Sequence, residues 1–270
     1  MFYKRICCVV FLIFLSHTVS AQELLFAVNE GVTYQDDGLP SERFKLLIKM
    51  LSKELKRPIK LHTISHYSDF EHELAIEHID LAFIHPGNVG LIAAKSGNYF
   101  GLATAKDFTD YRARVMVKAD SPLKSMADLR GKKIGVPSLE SITTVMFTAS
   151  LRELGIADPA KQFTPTRYQD AVPFMLDYGF VDAGVTGSGA VAKNWIAKGG
   201  RVIAETKPVP IKQFLMSRRF SAEEREKVQN LLLKLNETDD GKAALTGLHI
   251  TGFVPWNTTV MDEASKRLGL

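Results

Sequence analysis

The chain has 270 residues, 46% of them apolar, with 34 basic and 30 acidic side chains and a formal net charge of +4. That apolar content supplies one large core or two smaller ones, and the near-balanced charge, with no basic stripe interleaved with aromatics, argues against a nucleic-acid surface. Both cysteines, Cys7 and Cys8, fall within the first 21 residues, so a chain cut after Ala21 has no disulfide and no thiolate metal site.

That first stretch reads as an export signal. Lys4 and Arg5 form a charged start, residues 6–15 are apolar, and Val19-Ser20-Ala21 offers small side chains for cleavage after Ala21. The run is too short for a comfortable bilayer span, and no small-residue lipoprotein box precedes either cysteine. Without Lys4 and Arg5 the net charge is about +2.

Further along, residues 24–28 predict a first buried strand ending at Asn29-Glu30-Gly31. Ser41 is the expected N-cap of a helix over 42–56, with Phe44, Leu47, Ile48, Leu51 and Leu55 on one face. Pro58 stops that helix, and Ile59–Thr63 is a second strand. A helix over 67–78, a strand over Leu81–Ile84, a helix over Gly87–Lys95 and a strand over 100–105 follow. This alternation with short connections indicates α/β architecture. Residues 107–112 are polar and carry no helical period; a strand over 113–118 comes next. A short helix capped near Ser125, a turn at Gly131 into a strand, a helix over 141–154 and a strand near Phe163 continue the pattern. After residue 205, residues 207–212 read as a return crossing. A strand over Gln213–Ser217 then leads to a final long helix capped by Ser221-Ala222-Glu223-Glu224.

One short pattern occurs twice. Ile79-Asp80-Leu81-Ala82-Phe83-Ile84-His85-Pro86-Gly87 returns as Val181-Asp182-Ala183-Gly184-Val185-Thr186-Gly187-Ser188-Gly189, each copy preceded by an amphipathic segment, 67–78 or 168–178. Each reads as a helix, a buried strand and a Gly-bearing turn into another helix. Ligands of open α/β sheets bind at such strand-to-helix turns. Two copies therefore predict two similar lobes with their turns opposed across a cleft, and place His85, Thr186 and Ser188 among the candidate ligand residues. The expected division is 22–108 with 212–270 in one lobe and 109–211 in the other, with crossings near 107–112 and 207–212 as a hinge.

The run Ser121-Pro122-Leu123-Lys124-Ser125-Met126-Ala127-Asp128-Leu129-Arg130-Gly131-Lys132-Lys133-Ile134-Gly135-Val136 resembles the start of the second lobe in periplasmic solute-binding proteins of ABC transporters. Tyr67, the block Ile79-Asp80-Leu81-Ala82-Phe83 and Tyr111 narrow the resemblance to the phosphonate/phosphite/phosphate-type branch. It covers residues 24–235. The resemblance implies two Rossmann-like lobes joined by a two-crossing hinge, of the type II periplasmic binding protein kind, closing on a small solute and delivering it to a membrane permease. It also implies that Tyr67 and Tyr111 contribute to the cleft. The family's Ser-Thr-Ser-Gly anion turn corresponds to Ser138-Leu139-Glu140-Ser141-Ile142-Thr143-Thr144, which keeps the hydroxyls of Ser138, Ser141 and Thr143, lacks the glycine and adds a carboxylate. One of these hydroxyls caps the helix in any case. A family histidine is replaced by Arg167, whose guanidinium grips carboxylate or phosphate with two parallel hydrogen bonds. The family's amine-holding acidic residues have no match: Gly189 stands near one and Ile211-Lys212 near the other. These departures favour a small anion without a required amine.

Five of the six histidines beyond residue 21 are His62, His66, His72, His78 and His85. None forms an HxH or HExxH pair, so no metal or other cofactor is expected. There is no G-x-S-x-G elbow, phosphate loop or paired dinucleotide fingerprint, and Gly187-Ser188-Gly189 has no visible triad partners. The expected protein is an exported periplasmic monomer whose partners are a small solute and an ABC permease. Two alternatives stay open: a sensor signalling to a membrane histidine kinase or receptor, and an exported hydrolase.

Overall fold

The structure is a computed structural model and describes residues 22–29 and 39–270. The expected export signal with Cys7, Cys8 and its cleavage site, and the expected turn at Glu30-Gly31, lie outside the described residues.

Strand β1 (Leu24–Asn29), helix α1 (Pro40–Leu55), β2 (Ile59–Thr63), α2 (Tyr67–Ala75), β3 (Leu81–Ile84), α3 (Gly87–Lys95) and β4 (Tyr99–Ala105) come first. Next are β5 (Arg114–Val117), β6 (Ile134–Val136), α4 (Ile142–Glu153), β7 (Phe163–Pro165), α5 (Ala171–Asp177), β8 (Ala183–Thr186), α6 (Gly189–Ala197) and β9 (Arg201–Glu205). The chain closes with β10 (Gln213–Ser217), α7 (Ala222–Leu233), α8 (Asp239–Gly247), β11 (Phe253–Pro255) and α9 (Thr258–Leu268).

The strands form two sheets, in the orders β11-β4-β10-β3-β1-β2 and β7-β6-β8-β5-β9. Both repeat one plan. In the first, β3 pairs parallel with β1 and antiparallel with β10. In the second, β8 pairs parallel with β6 and antiparallel with β5. Each antiparallel strand is the one whose chain has just arrived from the other sheet, so each sheet is completed by a segment the other lobe sends across. The two crossings pair with each other: the Val209 amide donates to the Tyr111 carbonyl at 3.0 Å, Thr206 to Ala113 at 2.9 Å and Ile211 to Phe108 at 2.9 Å. Two adjacent backbone-paired strands are the expected two-crossing hinge.

Local chemistry explains where expectation and structure differ. Helix α1 begins at Pro40, with Leu39 at the N-cap, two residues ahead of the expected Ser41 cap. Proline's fixed φ and missing N–H suit the first helical position, which places Ser41 inside the turn. Helix α2 ends at Ala75 because Glu77 takes a left-handed backbone, φ 56°. Helix α7 carries the expected capping box, Ser221 with Glu224, but it is not the last helix. Helices α8 and α9, and β11 between them, follow. Asn257 caps α9, whose Met261, Ala264 and Leu268 face inward.

Phe26, Phe44, Leu47, Phe83 and Phe214 centre the core under α1, α7 and α8. Phe147, Leu151, Val115 and Val185 centre that of the second sheet. Each such side chain contributes about 1.5–3 kcal/mol by leaving water. A further cluster bridges the lobes: Leu91 of α3 and Met261 and Leu268 of α9 meet Ile142 and Met146 of α4, with Ile211 of the hinge between them. This seam sets the N-terminus of α4 against the first lobe. Among the described residues no helix is long and apolar enough to cross a membrane.

Candidate ligand-binding cleft

Where the switch turns after β3 and β8 face each other lie two adjoining cavities, of about 400 and 20 Å³, which share His85, Tyr111 and Gln169 as walls. The smaller, inner one has room for about one water. Tyr67, Ser138, Ser141, Thr143 and Arg167 line it. The outer one is reached by Ser188, Arg112, Arg114 and the carboxylates of Asp107, Asp110 and Asp170. Eight of the nine expected ligand residues thus line one cavity or the other.

The ninth, Thr186, does not. It is fully buried, and its hydroxyl donates to the Gln169 side-chain oxygen at 2.9 Å. The same oxygen receives the Gly187 amide at 2.6 Å and the Ser188 amide at 3.0 Å. Gln169 therefore occupies the donors that a ligand was expected to find at the second switch turn. Ser188 reaches the outer cavity, but its hydroxyl accepts the Val191 amide as the cap of α6. The sequence reading did not single out Gln169. Its one local signal is a polar amide just ahead of α5, and its partners lie 17 to 19 residues further on.

The inner cavity lies at the start of α4. Ser141 is the cap, its hydroxyl accepting the Thr144 amide at 3.3 Å. Amides in the first turn of a helix have no intrahelical acceptor, and the helix dipole adds positive potential there. Thr143 Oγ1 lies 2.8 Å from Tyr111 Oη. Burial, Tyr111 and Glu140 together push the Tyr67 phenol up to about 12. Burial also raises Tyr111, against the opposing effect of the neighbouring Thr143 and Gln169 side chains. Both phenols therefore keep their protons at neutral pH. His85 is buried, and desolvation together with the charge of Lys212 lowers it to about 3, so the imidazole is neutral. Its ring meets Tyr111 edge-on at 6.4 Å.

Lys212, in the second crossing, is 1% exposed and its Nζ lies 4.3 Å from the Phe108 ring centroid. It stands behind His85, to whose carbonyl its own amide donates at 3.3 Å. Arg167 is exposed, with its guanidinium 5.3 Å from the Tyr168 ring centroid. The inner lining contains one formal positive charge and, among the described residues, no carboxylate. Hydroxyls, amides and a guanidinium converging on a small cavity at a helix start are suited to hold an oxyanion. Among the described residues no three His, Cys, Asp or Glu side chains group as a metal site.

The sequence profile of the phosphonate family of ABC transporter periplasmic substrate-binding proteins matches residues 32–259. No curated protein sequence matches the chain. Among solved structures, XAC2383 from Xanthomonas citri bound to ATP has a TM-score of 0.76 at 16% identity, covering 92% of this chain and 97% of that one. PhnD1 from Prochlorococcus marinus in complex with methylphosphonate has a TM-score of 0.69 at 17% identity, covering 91% of this chain and 96% of that one. A histidine kinase sensor domain similar to periplasmic binding proteins gives 0.56 at 14% identity, covering 88% of this chain and 99% of that one. At such identities the likeness is one of fold, the two-lobed α/β architecture of type II periplasmic binding proteins.

Proposed function

The chain belongs to the family of periplasmic phosphonate substrate-binding proteins of ABC transporters, and from that premise we propose that it closes its two lobes on a small oxyanion and delivers it to an ABC importer. The lobes are residues 22–108 with 212–270, and residues 109–211. The observation that carries the reading is the composition of the inner cavity. Tyr67, Tyr111, Ser138, Thr143 and the start of α4 bring donors together, Arg167 adds the charge, and no described carboxylate lines the space.

Closure stabilises whichever state the ligand bridges. Residues of both lobes and of the hinge line the cavity, so a bound anion touches all three. The outer cavity of about 400 Å³ leaves room for a substituent on the anion, which favours an organic phosphonate or related organic anion over a bare ion. A catalytic role is not part of this proposal, since the Ser188 hydroxyl serves as a helix cap.

Thermal-shift titration of the protein without residues 1–21 tests the reading. Methylphosphonate, inorganic phosphate or a small carboxylate raises Tm by mass action, and Arg167→Ala weakens binding about 10- to 100-fold, the range of a lost charged hydrogen bond. A shift given by cations or neutral solutes alone would overturn it. The sensor reading keeps support from the fold likeness to a histidine kinase sensor domain. Stimulation of a reconstituted transporter's ATPase by the loaded protein favours delivery; its absence, with signalling through a kinase, favours sensing.

A further inference from the structure

We propose a second ligand site on the rear of the hinge, for a neutral, largely apolar small molecule with an aromatic body, whose binding braces the two crossings against each other. A cavity of about 670 Å³ lies there, larger than either cavity of the cleft. Phe108, Asp110 and Tyr111 of the first crossing line the cleft, whereas Thr109 between them lines this cavity, as does Pro210 of the second crossing. Every other wall belongs to the first lobe, among them Thr104 of β4, Val254 of β11, and Trp256 and Val260 at the approach to α9.

The local sequence explains the space. Strand β11 runs beside β4 for three residues, from Phe253 opposite Ala105 to Pro255 opposite Ala103. It ends at that proline, and α9 does not begin until Thr258. The sheet edge and the helix start are thus held apart. Trp256 closes one side of the gap: a Cβ on Gly101 would lie 2.1 Å from its ring, so the indole is seated on the β4 backbone.

The chemistry of the walls selects the occupant. The volume is that of a small-molecule site, a few polar groups set in a mainly apolar lining. Among the described residues no charged side chain lines it, so an ion placed there would lose water without gaining a partner. An indole wall favours an aromatic body. Thr104 is 1% exposed, and among the described residues its hydroxyl has no hydrogen-bond partner. Buried hydroxyls are usually paired, which leaves one hydrogen bond to be made in this wall.

The position gives the site its effect. The Val209 amide donates to the Tyr111 carbonyl at 3.0 Å and the Ile211 amide to the Phe108 carbonyl at 2.9 Å. Thr109 and Pro210 lie between these two bonds, one on each crossing. A molecule packed on both residues holds the pair of strands together from the side opposite the cleft. The inference does not depend on which solute the cleft takes.

The test is fluorescence titration of the protein with N-phenyl-1-naphthylamine, an uncharged aromatic amine that brightens when it leaves water. Saturable binding of one molecule per chain is expected, with the same affinity in Arg167→Ala, a change confined to the cleft. Val260→Asp puts a carboxylate on the cavity rim. Val260 is 40% exposed in the first turn of α9, where an acidic residue suits the helix dipole, so the fold is kept. Probe binding is expected to weaken at least about five-fold there and at least about 30-fold in Trp256→Ala; should Trp256→Ala unfold the protein, Val260→Asp decides. Amide exchange followed by NMR reads the bracing: bound probe should slow exchange at Val209 and Ile211 at least about three-fold, with no comparable change in β6. Absence of saturable binding, loss of binding in Arg167→Ala, equal affinity in Val260→Asp, or unchanged exchange at Val209 and Ile211 would each overturn the proposal.

Discussion

In both copies of the helix–strand–helix unit an aspartate opens the strand, and in both it performs the same task. Asp80 accepts the Leu25 amide at 2.8 Å and so ties the start of β3 to β1. Asp182 accepts the Lys133 amide at 2.8 Å and ties β8 to the start of β6. The four strand residues are buried in each copy. After the strand the copies part. His85 and Gly187 hold corresponding positions, and both meet Tyr111 on the hinge: one places an imidazole edge-on to its ring, the other withholds a side chain so that the phenol can reach the backbone. The later glycine of the first copy, Gly87, has a different neighbour. A Cβ there would lie 2.5 Å from the Pro210 carbonyl of the hinge. Shared scaffolding survives in the part that builds the sheet. Bulk and space are exchanged in the part that faces the other lobe.

The largest expected break in this comparison comes from acid. His85 is held at about 3 in the folded protein, against about 6.5 when unfolded. The unfolded chain therefore binds the extra proton between those values. Its contribution to stability is complete above pH 6.5 and is lost at about 1.4 kcal/mol per pH unit as pH falls toward 3. Denaturant titrations at pH 7, 5.5 and 4.5 should show a smaller acid loss in His85→Gln than in wild type; parallel losses would remove His85 from the account.

Substitution of the glycines sharpens the contrast next. Gly187→Ala and Gly87→Ala each overpack a tight contact, costing about 1–3 kcal/mol. They differ in consequence. Gly187→Ala displaces Tyr111 and Thr143 and removes the anion-induced Tm shift, whereas Gly87→Ala displaces hinge backbone and keeps those hydroxyls together. Identical binding losses in the two variants would mean that the two turns are equivalent after all. The smallest effects belong to the shared aspartates. Asp80→Ala also loses Arg219, 2.9 Å away, and should cost about 1–3 kcal/mol, while Asp182→Ala should cost no more than about 1 kcal/mol. Chemical denaturation reads both, and neither variant should change anion affinity.

Much of the plan was legible because burial writes itself locally. Leu81–Ile84 and Ala183–Thr186 are short runs without a polar break, and each is followed by a glycine-bearing turn. Ser141, Ser221 and the crossings were likewise readable from caps and breaks in period. The C-terminal α8, β11 and α9 were not, since β11 has three residues and ends in proline. Thr186 looked available from its position at a strand end. Its hydroxyl is taken by Gln169, and that meeting is set by how α5 packs beside β8, which no period or spacing in the chain expresses. Lys212 carries no local mark of burial either; its place behind His85 follows from the path of the hinge.

The strand β10 that completes the first sheet has a consequence for the order in which the chain can assemble. Residues 109–211 form one uninterrupted stretch, so their sheet has all five strands once β9 is made. The other sheet waits: β3 and β4 share β10 as their common neighbour, and that neighbour begins at residue 213. Until it arrives both strands present unpaired edges, the surfaces on which chains add to one another. Long-range closure of this kind also slows folding. A chain emerging from its N-terminus therefore finishes its inserted lobe first and its leading lobe last, and one truncated before residue 213 would leave β3 with one adhesive edge and β4 with both.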